Sequence, residues 1–461
     1  MVNFKSSISL ALIVSMGGFI FGFDAAVISG VIGFVTEEFN LTTWQQGFVV
    51  SSPTLGAIVA SLIAGYLSDR LGRKPVLIII AALYSISAIF SALAVSVEML
   101  ILARFIGGLA FASLIIAPLY IAEISPSHQR GRLVSFNQFN IMLGFSVAYF
   151  TNYFFIQLPQ IEPNLTQSLG LSDNLWRWML GIEIVPAMIY TVLLFFIPRS
   201  PRWLVLNNGK AQAKKIINMI MAPADANEQW LEITSIEHEK PKGLLVNLSC
   251  LFSPQLRAVL ILGLFVGVIQ QITGINAIYF YAPTIFEQTG IGRNAAFIQS
   301  VMVGITNLVF TVISMLLIDL IGRKPLMIVG LLGIFVSMTI CAYGFSQSSP
   351  EPMLILVGIL AFVASFALSL GPVMWVLLSE IFPSHIRGLG IAFIGVINSV
   401  VSFCVQLIFP WQLEVLGASY TFAIYAAFAF IGLFIVIKIL PETRGLSLEQ
   451  LEYKLKKSTY N

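Results

Sequence analysis

Apolar residues fall in long unbroken runs along this chain, each near the ~20 residues that a helix needs to cross a bilayer, with polar residues gathered in the gaps. The runs do not alternate, so they predict helices rather than barrel strands. They place about twelve spans, over residues 8–31, 47–66, 75–96, 99–121, 134–156, 177–197, 258–288, 297–318, 325–346, 352–379, 389–410 and 418–440. One gap is longer than the others. It runs from Arg199 to Arg257, carries Arg202, Lys210, Lys214, Lys215, Lys240 and Lys242, and has helical composition from Gly209 to Met221. The expected organisation is an all-α membrane protein: a six-helix bundle over 1–198, a cytoplasmic helical segment over 199–257, a second six-helix bundle over 258–440 and a cytoplasmic tail over 441–461.

The halves repeat each other. Asp69-Arg70-Leu71-Gly72-Arg73-Lys74 follows the second span, and Asp319-Leu320-Ile321-Gly322-Arg323-Lys324 follows the eighth. Glu123-Ile124-Ser125-Pro126-Ser127-His128-Gln129-Arg130-Gly131 follows the fourth, and Glu380-Ile381-Phe382-Pro383-Ser384-His385-Ile386-Arg387-Gly388 the tenth. Two motifs recurring in the same order at equivalent places predict duplicated, pseudo-symmetric bundles. A single such charge cluster would be a solvated loop. As repeated sets they suit a cytoplasmic lock: Asp69 and Arg73 with Glu123 and Arg130 in one bundle, Arg323 with Glu380 and Arg387 in the other. Exposed pairs contribute only about 0–1 kcal/mol each. A network that forms only when the inner side is shut can still bias a two-state equilibrium of a few kcal/mol, and removing its charges should favour the inward-open state.

Composition narrows the class. The chain is 57% hydrophobic and 10% charged, which no soluble domain shows. Basic residues lie in alternate loops, which places both termini and the central segment inside the cell. The net charge of +3 is spread along those loops and gives no nucleic-acid surface. Cys250, Cys341 and Cys404 form neither a disulfide framework nor a metal-ligand spacing, and no cofactor motif is present. No Ser/His/Asp set lies within the spans, and His128, His238 and His385 fall in loops, so enzyme chemistry is not expected. The first apolar run has no small-residue cleavage site and is expected to remain as a helix. Asn40 and Asn164 lie in Asn-x-Thr sequons, which are frequent by chance.

Chemistry enters at Gln270-Gln271-Ile272-Thr273-Gly274-Ile275-Asn276-Ala277-Ile278-Tyr279-Phe280-Tyr281, inside the seventh span. An unpaired amide in hydrocarbon costs several kcal/mol. Each carboxamide has both donors and an acceptor, which suits a hydroxylated ligand. On an ideal helix Asn276 points away from Gln271, because five residues turn through roughly 140°. Gly274 between them can loosen the helix so that both amides face one cavity. The bland alternative is hydrogen-bonded glue between helices; three amides, a glycine and Tyr279 and Tyr281 in twelve residues favour a ligand site.

Asp24 interrupts the first span, and a carboxylate in a membrane helix marks an ion path by default. It lies roughly 10 Å in from its end of the span, as Arg104 does in the fourth. Whether Arg104 stands beside it decides how readily Asp24 keeps a proton, so a gate that joins and separates them would couple proton binding to conformation. A static ion pair orienting two helices is the alternative. Glu183, on the sixth span, reads as a structural partner to backbone or a nearby helix.

With Gly65-Tyr66-Leu67-Ser68-Asp69-Arg70-Leu71-Gly72-Arg73-Lys74, the paired Glu…Arg-Gly motifs, Gln270 to Tyr281, Ser200-Pro201-Arg202-Trp203-Leu204 and Pro441-Glu442-Thr443-Arg444-Gly445, the chain resembles a sugar porter of the major facilitator superfamily, closest in style to bacterial proton-coupled xylose and glucose symporters. The resemblance runs from about Gly17 to Leu451. It implies the major facilitator fold, a functional monomer in the bacterial inner membrane, and secondary active import of a monosaccharide, hexose or pentose, with a proton. It implies a sugar site of Gln138, Gln270, Gln271, Asn276, Asn307, Trp375 and Asn398, with Phe21, Tyr279 and Tyr281 as further lining, and Asp24 with Arg104 in proton coupling. Symporters of this family carry Asp at that position and facilitative transporters Asn. Trp375 follows Gly371-Pro372, where proline weakens the helix and suits a gate. Three positions depart from the family pattern: Arg199 replaces an acid, which removes one expected ion pair of the inner lock, while Ser399 stands where relatives often have Trp and Phe145 where the xylose symporters have Gln, which implies a rim suited to a different or larger sugar. A facilitative uniporter and a non-transporting sugar sensor are the alternatives.

Overall fold

The computed structural model describes residues 6–168, 170–171, 174–235, 251–383 and 386–443. Lys240, Lys242, His238, His385 and the chain from Arg444 onward lie outside the described residues, as does the side chain of Asp319. Among the described residues the chain is helical throughout, and twelve helices are long and apolar enough to span a membrane. These are α1 (Ser7–Phe39), α2 (Thr43–Leu71), α3 (Arg73–Ala92), α4 (Val97–Ile124), α5 (Arg130–Ile161), α6 (Leu175–Phe196), α7 (Arg257–Glu287), α8 (Arg293–Ile318), α9 (Arg323–Ser346), α10 (Pro352–Ile381), α11 (Arg387–Val415) and α12 (Gly417–Ile439). Several outrun their apolar stretches. The 33 residues of α1 extend to Glu37, Glu38 and Phe39, because backbone hydrogen bonds continue a helix into water after the hydrophobic run has ended.

Two compact units form. The first takes in residues 1–31, 52–151 and 158–241, the second residues 32–51, 152–157 and 242–461. The central segment therefore packs with the first unit. Its helix Lys210–Ile220 turns Ala213, Ile216, Ile217 and Ile220 inward, where they join Leu10, Tyr120 and Leu194 in one core. Ser7 Oγ also donates to the Ile220 carbonyl at 3.2 Å. Two further helices of the segment, Pro201–Leu206 and Pro223–Ser235, flank it.

Among the described residues four spans are broken, and each break is local. In α4 a 3-10 turn occupies Ala110–Ala112. In α6 the helix breaks between Gly181 and Ile184, around Glu183. In α7 the helix stops at Ile272 and restarts at Ile275, with Gly274 left-handed at φ +90°. A β-carbon there would be strained and would strike the Tyr425 ring. In α10 the break falls at Ser369, just before Leu370-Gly371-Pro372. Pro372 has no N–H for the Leu368 carbonyl, and Ser314 Oγ donates to that carbonyl instead, at 2.8 Å.

Candidate functional site

The breaks in α7 and α10 meet α11 in the second unit, and carboxamides fill the junction. Gln270 Nε2 donates to the carbonyls of Leu370 and Gly371, the first residues after the α10 break, at 3.0 and 3.3 Å. Asn398 Nδ2 donates to Gln270 Oε1 and to the Gly267 carbonyl, both at 2.8 Å. Gln271 Nε2 donates to Gln270 Oε1 at 3.3 Å and Asn398 Oδ1 at 3.2 Å. The turn at Gly274 swings Asn276 back, so that its Nδ2 donates to Gln271 Oε1 at 2.8 Å and to Ser402 Oγ at 2.6 Å. Four amides that a straight helix would scatter thus form one network. Gln270, Gln271 and Asn398 are buried, Asn276 is half-buried, and Asn276 Oδ1 bonds to no described residue.

The other expected sugar-site residues are placed as follows. Tyr279 donates its hydroxyl to Asn307 Oδ1 at 2.8 Å, and both are buried beside the same broken helix. Tyr281 is buried, its hydroxyl donating to the Gln406 carbonyl at 3.2 Å and its ring 5.1 Å from that of Phe409. Trp375 is 46% exposed, its ring against Gly395. Gln138 and Phe21 belong to the first unit. Gln138 is half-buried, and Phe21 meets Phe111 edge-on at 4.5 Å.

Within the first unit Arg104 Nη1 donates to Asp24 Oδ1 at 3.1 Å and Nη2 to the Asp24 carbonyl at 3.3 Å. The two side chains are 1% and 3% exposed. Asp24 Oδ2 and Arg104 Nε have no hydrogen-bond partner, and Oδ2 lies beside Gly107, where a β-carbon would strike Ser87. Glu183 is buried at the α6 break with Oε1 also unpartnered, near enough to interact electrostatically with both Asp24 and Arg104. Of the two roles its sequence suggested, a partner to backbone or to a nearby helix, its position beside Asp24 on α1 and Arg104 on α4 fits the second.

A family model described as sugar (and other) transporter matches residues 10–455. The chain belongs to this transporter family. It is 38% identical over 442 residues to an arabinose-proton symporter of Bacillus subtilis, covering 95% of this chain and 92% of that one. It is 34% identical to a D-xylose-proton symporter of Escherichia coli, with 96% and 94% covered. A solved inward-open conformation of the xylose transporter from E. coli superposes with a TM-score of 0.84 at 32% identity, over 97% of this chain and 99% of that one. The protein is accordingly a multi-pass membrane protein with the major facilitator fold.

In this transporter the repeated loops build the same device twice. Gly72 and Gly322 have φ of 92° and 102°, a conformation glycine alone adopts easily, and each turns the chain from one span into the next. Arg73 Nη1 donates to the Ser68 carbonyl and Arg323 Nη1 to the Ile318 carbonyl, both at 3.0 Å. Arg73 pairs with Glu123 at 3.0 Å and with Asp69 at 3.0 Å, and Arg323 pairs with Glu380 at 2.7 Å. The second oxygen of each acid accepts a hydroxyl: Ser200 on Glu123 at 2.5 Å and Thr443 on Glu380 at 2.6 Å.

The remaining two arginines of the expected lock depart from it. Arg130 reaches Glu232 of the central segment at 2.9 Å, while Glu123 pairs with Arg73 and Ser200. Arg387 Nε donates to the Phe382 carbonyl at 3.3 Å and pairs with no acid among the described residues. Ser402, Gln406, Ser200, Thr443 and Glu232 are functional neighbours that their sequence context did not single out. For two of them a signal existed: Asn398, Ser402 and Gln406 recur every four residues, a polar stripe along an otherwise apolar helix.

Proposed function

We propose that this protein imports a monosaccharide, a hexose or a pentose, together with a proton by alternating access, acting as a monomer in the bacterial plasma membrane with both termini cytoplasmic. The six spans before residue 199 and the six from 258 to 440 form its two bundles, joined by the cytoplasmic segment. The observation that carries this is the amide network at the α7 and α10 breaks. Its anchors are backbone carbonyls of Leu370, Gly371 and Gly267, so Gln270 and Asn398 are held in place before any ligand arrives. A sugar hydroxyl both donates and accepts, so it exchanges with an amide–amide bond at little net cost. Half-buried Asn276, with its free Oδ1, is the first point of contact. Because Gln270 also grips the α10 break, a ligand that rearranges the amides acts on the helix that gates.

Asp24, with Arg104, is the proton-coupling pair. Its unpartnered Oδ2 is where a proton adds, and Glu183 is the second acid within reach. An ionisable group kept inside a membrane bundle at this cost needs such a role. The relatives named as proton symporters support the same assignment for this chain. No step calls for a cofactor or for catalysis. The test is uptake of a panel of labelled sugars into proteoliposomes with and without an inward proton gradient. One or more sugars should accumulate only with the gradient. Equal final levels in both conditions would leave a uniporter, and binding without any uptake would leave a sensor.

A further inference from the structure

A cavity of about 730 Å³ opens in the first unit, and among the described residues no amide of the sugar site and no acid lines it. Its polar lining is Lys74, Arg199, Lys215 and Gln212. Lys74 Nζ rests on the Phe195 carbonyl at 2.8 Å, and the Arg199 guanidinium lies 5.6 Å from the Trp203 ring centre. None of the three cations is in an ion pair with a described residue. Three positive charges around one cavity, none paired with an acid among the described residues, repel one another and raise its affinity for an anion.

The second half of the chain shows what such a place holds when it is complete. There Glu442 presents its carboxylate to the backbone N–H groups of Arg323 and Lys324, at 3.1 and 3.0 Å, at the start of α9. Glu442 stands between Pro441 and Thr443, as Arg199 stands between Pro198 and Ser200, and Thr443 and Ser200 make matching bonds to Glu380 and Glu123. In the first half Arg199 holds the chain position that Glu442 holds in the second, so a cation stands where the repeat carries a carboxylate, and the Trp203 ring instead of an acid lies against Gly72. The rest of the cavity wall is apolar, and Ile79 and Met219 on it are 48% and 40% exposed. Basic pockets beside membrane helices take lipid phosphates, with acyl chains lying along apolar walls.

We propose that this cavity binds the phosphate headgroup of an anionic phospholipid, which replaces the carboxylate that the other half carries in its own chain. The inference stands apart from the transport assignment, because its readout is lipid binding alone. The purified full-length protein is delipidated, titrated with phosphatidylglycerol or phosphatidylcholine, and read by native mass spectrometry. One phosphatidylglycerol should be held in preference to phosphatidylcholine. Arg199→Glu, which restores the acid, and Lys215→Gln, an exposed change that leaves the core intact, should each weaken it by about tenfold, the worth of one charge-assisted contact. Arg132→Gln, outside the cavity, should leave it unchanged. Equal retention by Arg199→Glu and Lys215→Gln, equal binding of the two lipids, or the same loss in Arg132→Gln would overturn the proposal. Displacement of the lipid by millimolar glycerol phosphate would do so as well, assigning the cavity to soluble phosphate esters.

Discussion

Replacing Asp24 by asparagine keeps the size of the side chain and removes its charge. In the wild-type protein the guanidinium and carboxylate are 3.1 Å apart and almost fully buried, which corresponds to ~5 kcal/mol of attraction at an effective dielectric of ~20. The new carboxamide would still offer Arg104 a neutral oxygen, and the backbone carbonyl of the same residue, at 3.3 Å, remains, so part of the bonding survives. The buried guanidinium loses its counter-charge, which costs about 3–5 kcal/mol where such a pair is broken on one side. Asp24→Asn should therefore lower thermal stability, and Arg104→Gln in the same chain should return most of it, because the double variant no longer buries the guanidinium that lost Asp24. The functional effect is separate. With one proton per sugar, an inward gradient of about two pH units can hold sugar at about 100-fold inside over outside, since every 1.4 kcal/mol is a factor of ten. In proteoliposomes the wild type should approach that ratio while Asp24→Asn should stop at equal concentrations. Sugar exchange down its own gradient should persist, because the amides lie elsewhere. Uphill accumulation by Asp24→Asn at the wild-type level would refute the coupling assignment, whatever the stability data show.

Three further outcomes follow from the geometry. The double variant Gln271→Ala, Asn276→Ala should weaken sugar binding about 30-fold, the worth of two neutral hydrogen bonds, and unchanged affinity by calorimetry would remove these amides from the site. Gly274→Ala must hold φ +90° with a methyl group against the Tyr425 ring; a loss of about 1–3 kcal/mol is expected, and a wild-type melting temperature would show that the turn relaxes freely. Arg73→Gln breaks a buried pair with Glu123 and should destabilise by about 3–5 kcal/mol, whereas Arg130→Gln, whose pair with Glu232 is 33% and 42% exposed, should cost about 1 kcal/mol or less. Thermal unfolding in detergent ranks the two, and a reversed order would contradict the burial argument.

The chain by itself determined the number of spans, the duplication, and which polar side chains matter. Hydrocarbon tolerates no unsatisfied backbone and few polar groups, so an apolar run of sufficient length is a helix, and Asp24, Gln271 or Asn398 inside one stands out without any knowledge of its neighbours. The sequence also marked Gly274 and Gly371-Pro372 as weak points, because glycine freedom and a missing proline N–H are properties of the residue. Only the tertiary structure decided who pairs with whom. Gln270 binds the carbonyls of Leu370 and Gly371, a hundred residues away, because the fold packs the start of the second half of α10 against α7. Arg130 pairs with Glu232, which the central segment brings beside it, while Arg73 and Ser200 pair with Glu123, and the Tyr281 hydroxyl meets the carbonyl of Gln406 on α11. A hydrogen bond is short-ranged and directional, so its partner depends on where distant backbone arrives in space, and no local pattern of residues encodes that.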